Sequence, residues 1–175
     1  MENKRAFAVP LPGALELLGD GPSFQDTLCS MLRKVKGFED FGQPELASIT
    51  RHMKAYRVPE GATISLEGDR NSHFSALIEG RICVYKEDSN NAVKLLSVIS
   101  PGRIFGEISV IDDHPYSASL VAESDAIIVR MTQESFRQCV NENSVIGVRL
   151  LNLVAQLLCG RLRSASGQLV DYIHF

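Results

Sequence analysis

The stretch Gly102–Ser124, GRIFGEISVIDDHPYSASLVAES, decides how this chain is read. It carries the parts of an anion-binding loop: a Gly106-Glu107 pair, a short apolar run, then the hydroxyls of Ser117 and Ser119. A glycine at position 106 lets the backbone approach a ligand closely or adopt a conformation closed to other residues. Glu107 either accepts hydrogen bonds from ligand hydroxyls or caps the turn that follows. The run from Ile108 to Ile111 suits one helical turn whose free N–H groups face an anion. Yet no Lys or Arg occurs between Arg103 and Arg130, so the cradle is built without a positive charge.

Upstream, from Ala55, short apolar runs alternate with turn signals at Pro59-Glu60-Gly61, Glu67-Gly68-Asp69, Glu79-Gly80, Ser89-Asn90-Asn91 and Pro101-Gly102. Two further strands are expected at 117–122 and 126–130. Short strands at this spacing predict an α+β fold built on an eight-stranded β-roll, a jelly-roll-like barrel, rather than a parallel sheet. Helices flank it. One begins at a Ser23/Asp26 capping box, carries Phe24, Leu28, Met31, Leu32 and Val35, and ends at Gly37. A second starts at Pro44 and carries Leu46, Ile49 and Met53. Thr132 is the expected N-cap of a third. A long final helix follows Ser144, with a seam at Leu151, Val154, Leu158, Leu162, Ala165 and Leu169 that suits a partner helix. Leu150, Leu153 and Leu157 widen that stripe, so packing on the roll explains it equally well. The expected organisation is an irregular arm over 1–22, the roll with its leading helices over 23–143, and the C-terminal helix and tail over 144–175.

Composition narrows the function. A net charge of −3 argues against a general nucleic-acid surface. No apolar run approaches 18 residues, so no membrane span is expected, and the cytoplasm is the default location. The four cysteines and four histidines are dispersed and propose no metal site. No catalytic motif is present, and Glu107 with His114 reads as a solvated turn rather than an acid–base pair. A non-enzyme is expected.

The ordered turn glycines lead to a family. Gly61 and Gly68 around ISLEGD, Gly80 in ALIEGRICVY, Gly102 before IFGE, and SASLVAESDA before the last helices resemble the cyclic-nucleotide-binding domain. That is the sensor module of catabolite-activator regulators and of cAMP-dependent kinase regulatory subunits. The resemblance covers about Phe38 to Arg163. The family's phosphate-binding cassette runs approximately F-G-E-L-A-L, four residues, then P-R-A-A-T/S-V. Phe105, Gly106 and Glu107 match it, Ile108 and Ser109 stand for the next pair, and Pro115 matches the proline. The arginine position falls on Tyr116, and Ser117, Ala118 and Ser119 match the small residues after it.

The resemblance implies that Glu107 takes a ribose hydroxyl, that backbone N–H groups hold phosphate oxygens, and that cAMP or cGMP is the ligand. Tyr116 donates at most a neutral hydrogen bond where the family has a charged one. Losing a charge-assisted bond of about 1.5–3 kcal/mol weakens binding about ten- to more than a hundredfold. Two readings follow. One is a sensor for a cyclic nucleotide, or another small molecule in the same pocket, that reorganises the last helices. The other is a ligand-free interaction domain that forms a homodimer through the final helix or binds an unidentified protein. Only SASGQLVDYIHF follows Arg163, so no DNA-reading helix-turn-helix is expected.

Overall fold

The computed structural model describes residues 15–172, with side chains described as far as Gly167. Most of the expected arm lies outside these residues, and so does the side chain of Leu169 in the expected seam. Near the arm's end, Glu16–Gly19 forms a strand (β1) rather than irregular chain.

A 3-10 turn at Pro22–Phe24 leads into α1, Gln25–Leu32. The expected capping box at Ser23 does not form. Ser23 sits inside the 3-10 turn, and the helix N-cap, Phe24, has no side-chain cap. The helix also ends well before Gly37, which takes a left-handed turn (φ 98°) further on. The second helix, α2 at Gln43–Thr50, follows its sequence pattern closely. Pro44 lies in its first turn, Glu45 accepts the Gly42 N–H at 2.8 Å, and Leu46, Ile49 and Met53 are buried.

The roll then runs β2 (Lys54–Val58), β3 (Thr63–Ser65), β4 (His73–Glu79), β5 (Ile82–Glu87), β6 (Val93–Ile99), β7 (Ile104–Phe105), α3 (Glu107–Asp112), β8 (Ser119–Ala122) and β9 (Ala126–Thr132). Two helices close the chain, α4 at Gln133–Glu142 and α5 at Ser144–Tyr172. The turn glycines Gly61, Gly68, Gly80 and Gly102 all have positive φ, as turn signals require. At Gly80 a Cβ would also stand 2.4 Å from the Asp125 carbonyl oxygen.

The β-roll is not a closed barrel of eight strands. Its strands form two antiparallel sheets, β1-β2-β9-β4-β7 and β3-β8-β5-β6. No ladder joins the β6 edge to the β7 edge. Between the sheets lies an inner core of Val58, Leu77, Ile82, Phe105, Leu120, Ala122, Ala126 and Ile128. The outer face of the five-stranded sheet carries a second core with α1, α2, α4 and α5, including Phe38, Leu46, Phe74, Val129, Phe136 and Leu150. Strands β4 and β9 are therefore buried on both faces. Leu77 and Ile128 point inward while Phe74, Ala76, Val129 and Met131 point outward.

The final helix divides the expected seam. Ile146, Leu150, Leu153 and Val154 are buried in the outer core, so Val154 faces its own chain. Leu151 and Leu162 are exposed, as are Val145 and Val148. Leu153 lies against Gly37, where even a methyl group would overlap it. By length and composition Ser144–Gly167, with a mean hydropathy of 1.5, is apolar enough to cross a membrane, contrary to the expectation from uninterrupted runs. Here its N-terminal half serves the protein core. Of the cysteines, Cys29, Cys83 and Cys139 are buried and Cys159 is exposed.

Thr132 accepts the Ser135 N–H at 3.1 Å, the N-cap bond expected of it. Thr132→Ala should therefore cost about 1 kcal/mol and lower Tm by roughly 2–4 °C. A thermal scan with unchanged Tm would show that the cap contributes nothing.

Candidate functional site

The gap between the β6 and β7 edges opens into a cavity of about 890 Å³. Ser97, Val98 and Ile99 of β6 line one side, Ile104 and Phe105 of β7 another, and Leu153, Leu157, Gly160 and Arg161 of α5 form its cover. Gly106, Ile108, Tyr116, Ser117 and Ala118 also line it. Of the residues the sequence proposed as ligand contacts, five reach the cavity wall, while Glu107 and Ser119 do not.

Local geometry explains this division. Gly106 turns the chain from β7 into α3 with φ 76°, and a Cβ there would lie 2.2 Å from the His73 carbonyl oxygen. Only glycine meets both conditions. Ser119 is buried, and its hydroxyl accepts the Glu67 N–H at 2.9 Å, which fastens the β8 start to the preceding loop. Ser117 is exposed, and its carbonyl accepts a hydrogen bond from Lys86, which also pairs with Glu67 at 2.6 Å.

Tyr116 occupies the place where the resemblance puts arginine. Its backbone is clamped on both sides, its N–H donating to Asp69 O and its carbonyl accepting from Gly68 N–H, each at 2.9 Å. Its hydroxyl oxygen accepts the His73 N–H at 2.8 Å. Burial pushes the phenol's pKa up, so it remains neutral. The two acidic residues of this loop do not crowd the cavity. Asp113 ends α3 in a left-handed conformation and is held by Gln133 at 3.0 Å and Arg137 at 3.6 Å. These partners keep its pKa low, Gln133 contributing most. Asp112 accepts the His114 N–H at 3.0 Å, and the His114 side chain is 79% exposed, as the turn reading requires.

Glu107 has no exposed surface. Arg161 of α5 covers it, with Nη1 2.7 Å from Oε1, and donates from Nη2 to the Ile104 carbonyl at 2.9 Å. The ion pair is close but off the direction of a hydrogen bond, so neither carboxylate oxygen has an aligned donor from a side chain. Burial raises the Glu107 pKa, and the Arg161 charge opposes the shift without cancelling it. Arg161 is the residue that sequence reasoning missed. Its position in the run GRLR carries no signal of the pocket, because only the docking of α5 brings it to β7 and α3. Lys36, Arg103 and Arg163 also line the cavity, with Glu39 as the acidic residue among the lining side chains. Positive charge is thus present, but it enters from α5 and the neighbouring loops rather than from the cassette.

Comparison with known proteins fits this arrangement. Residues 56–143 match the family model of the cyclic nucleotide-binding domain. A CRP-like cAMP-activated global transcriptional regulator of Mycobacterium tuberculosis is 24% identical over 136 residues, covering 78% of this chain and 59% of the regulator. A cAMP-dependent protein kinase regulatory subunit of Aspergillus niger is 32% identical over 94 residues, covering 54% of this chain and 22% of the subunit. The chain therefore spans only part of the length of these curated relatives. The crystal structure of a cyclic nucleotide-binding domain from Methylobacillus flagellatus superposes with a TM-score of 0.79 at 25% identity, covering 92% of this chain and 90% of that one. With its turn glycines, its two-sheet roll and its Gly106-Glu107 turn, the chain belongs to the cyclic nucleotide-binding domain family.

Proposed function

We propose that this chain is a regulatory sensor module whose cavity takes a nucleotide-like small molecule, and that α5 reports its occupancy. The observation that carries this reading is the contact of Arg161 with Glu107 across the cavity's cover. A ligand hydroxyl that hydrogen-bonds to Glu107 must share it with Arg161 or displace it, and either event changes how α5 is held. The names of the relatives, a cAMP-activated regulator and a cAMP-dependent kinase subunit, support a cyclic nucleotide as the ligand class. Gly106, Glu107, Ile108, Tyr116, Ser117 and Ala118 are the contacts proposed for this chain, with Ser119 in a supporting role behind them. Affinity for a cyclic phosphate is reduced because Tyr116 gives the cassette no charge.

A second reading rests on the same geometry. Glu107 is already paired and Tyr116 already fills its slot, while Val145, Val148, Leu151 and Leu162 leave apolar surface on α5. An interaction domain that needs no ligand, forming a homodimer or binding a protein through α5, would look like this. Isothermal titration with cAMP and cGMP separates the two. Micromolar binding is expected of the sensor, and no heat up to millimolar nucleotide leaves the interaction domain.

Tyr116→Arg should tighten cAMP binding at least about tenfold, the effect of one restored charge-assisted bond. An unchanged affinity would mean that the slot does not face the ligand. Glu107→Ala should abolish ribose-dependent binding in the same titration, and equal binding by the variant would sink the assigned role.

Glu107 also makes a pH prediction. Its pKa in the folded state lies above the ordinary 4.5, so between the two values the native protein holds a proton that the unfolded chain has released. Its contribution to stability is therefore greatest below pH 4.5 and declines as pH rises through the folded value. Glu107→Gln removes that decline, and Arg161, 48% exposed, loses little when left to solvent. The Tm of the variant minus that of the native protein should grow between pH 4.5 and pH 7. A difference that stays flat would show that Arg161 compensates burial fully.

A further inference from the structure

Arg130 has no part in the site described above, and its surroundings are unusual for an arginine. It lies on β9 opposite Ser75 of β4 and Lys54 of β2. The residue is half-buried, and its Nε is fully buried with no hydrogen-bond partner among the described residues. Its guanidinium carbon stands 4.7 Å from the centre of the Tyr56 ring. No carboxylate among the described residues pairs with it. Elsewhere in the fold, Arg51, Arg81, Arg137, Arg149 and Arg161 each meet an acidic side chain. A guanidinium nitrogen taken out of water is costly unless its donor is used, and beside the buried Nε the structure offers the Tyr56 ring face.

The neighbours of Arg130 lead back to the cavity. His73 lies two residues along β4 from Ser75 and so shares the face on which Arg130 stands. It is held neutral, its pKa lowered to about 4 by burial and then by the Arg130 charge. The His73 backbone N–H donates to the Tyr116 hydroxyl, and Tyr116 lines the cavity. Arg130 also acts electrostatically on that phenol, yet it is not itself part of the cavity wall. Tyr116 thus links the cavity, which it lines, to the His73 backbone N–H, and Arg130 stands on the same sheet face as His73.

We propose that Arg130 is the anion-binding arginine of this pocket, supplied from β9 instead of the cassette, and that Tyr116 covers it. A phosphate or other oxyanion carried by the ligand reaches Arg130 and the His73 N–H when the phenol swings aside. The exchange is chemically sensible. The phenol holds its place by one neutral hydrogen bond, an oxyanion is a stronger acceptor for the same N–H, and only an oxyanion can use the unspent guanidinium fork. An uncharged nucleoside has no such reason to move Tyr116. The inference rests on the nucleotide-pocket reading and adds the source of its charge selectivity.

The test is titration of Tyr116→Ala, alone and with Arg130→Met, against cAMP and against adenosine as the uncharged probe. Methionine keeps an apolar stem on Tyr56, and a Tm for each variant establishes folding. Tyr116→Ala is expected to bind cAMP at least about tenfold more tightly than the native protein, with adenosine changed much less, and the added Arg130→Met should remove the gain. A folded Tyr116→Ala protein with no selective gain for cAMP overturns the proposal, as does a gain that survives Arg130→Met. If the Met double variant does not fold, Arg130→Gln replaces it under the same criteria. Adenosine binding that persists in all variants leaves the pocket reading intact when the Arg130 assignment fails, so the two can be judged separately.

Discussion

The site depends on a gap that the sheets do not close. Strand β6 is the last strand of one sheet and β7 the last of the other, and no ladder joins them. Open edges present unpaired backbone groups that a protein must cover or pair. Here α5 provides cover beside β7. Leu153 rests on Gly37, and Arg161 spends one guanidinium nitrogen on the Ile104 carbonyl of β7 and another on Glu107. The helix is thus tied to the edge strand and to the cassette by a single side chain. The space left between helix and edges is the cavity, so the feature that leaves the roll short of a barrel also gives it a pocket. Fold completion and ligand access compete for the same surface, which gives a physical reason for binding and helix position to be coupled.

Glu107 sharpens that coupling. A carboxylate with no exposed surface is stable only if a charge or aligned donors compensate its lost hydration. Arg161 supplies the charge without the alignment, so the pair is close but incompletely satisfied. Such a pair is a poor permanent fastening and a reasonable exchangeable one. A hydroxyl donor placed on the free lone pairs would give the carboxylate what the guanidinium does not.

Much of the fold was legible because its signals are local. Gly61, Gly68, Gly80 and Gly102 mark left-handed turns that other residues resist, and Pro44 and Thr132 mark helix starts through bonds made within a few residues. The features that were not legible depend on distant chain. The strand at Glu16–Gly19 exists because β2 pairs with it, and its own sequence, ELLG, has no alternation to announce it. Barrel closure depends on whether two edges meet, which turn spacing does not encode. The α5 stripe reads as one seam in sequence, yet the outer core buries Val154 while leaving Leu151 exposed. Arg161 is illegible for the same reason, since only the docking of α5 brings it to Glu107 and Ile104.

The loop between Arg103 and Arg130 carries no basic residue, and the cations that line the cavity come from outside it. A phosphate cradle needs positive charge nearby, but Coulomb attraction is indifferent to which strand delivers it. Arg161, Arg103, Lys36 and Arg163 line the cavity, and Arg130 stands outside its wall on β9, close enough to act electrostatically on Tyr116. Had the charge been on the cassette, it would face the ligand whether or not α5 was docked. Placed on α5, it arrives with the helix, and placed behind a tyrosine, it is screened until that ring moves. Each relocation makes the field in the pocket depend on conformation. A module whose charge depends on conformation returns the favour, because an anion bound in it must favour the arrangement that delivers the charge.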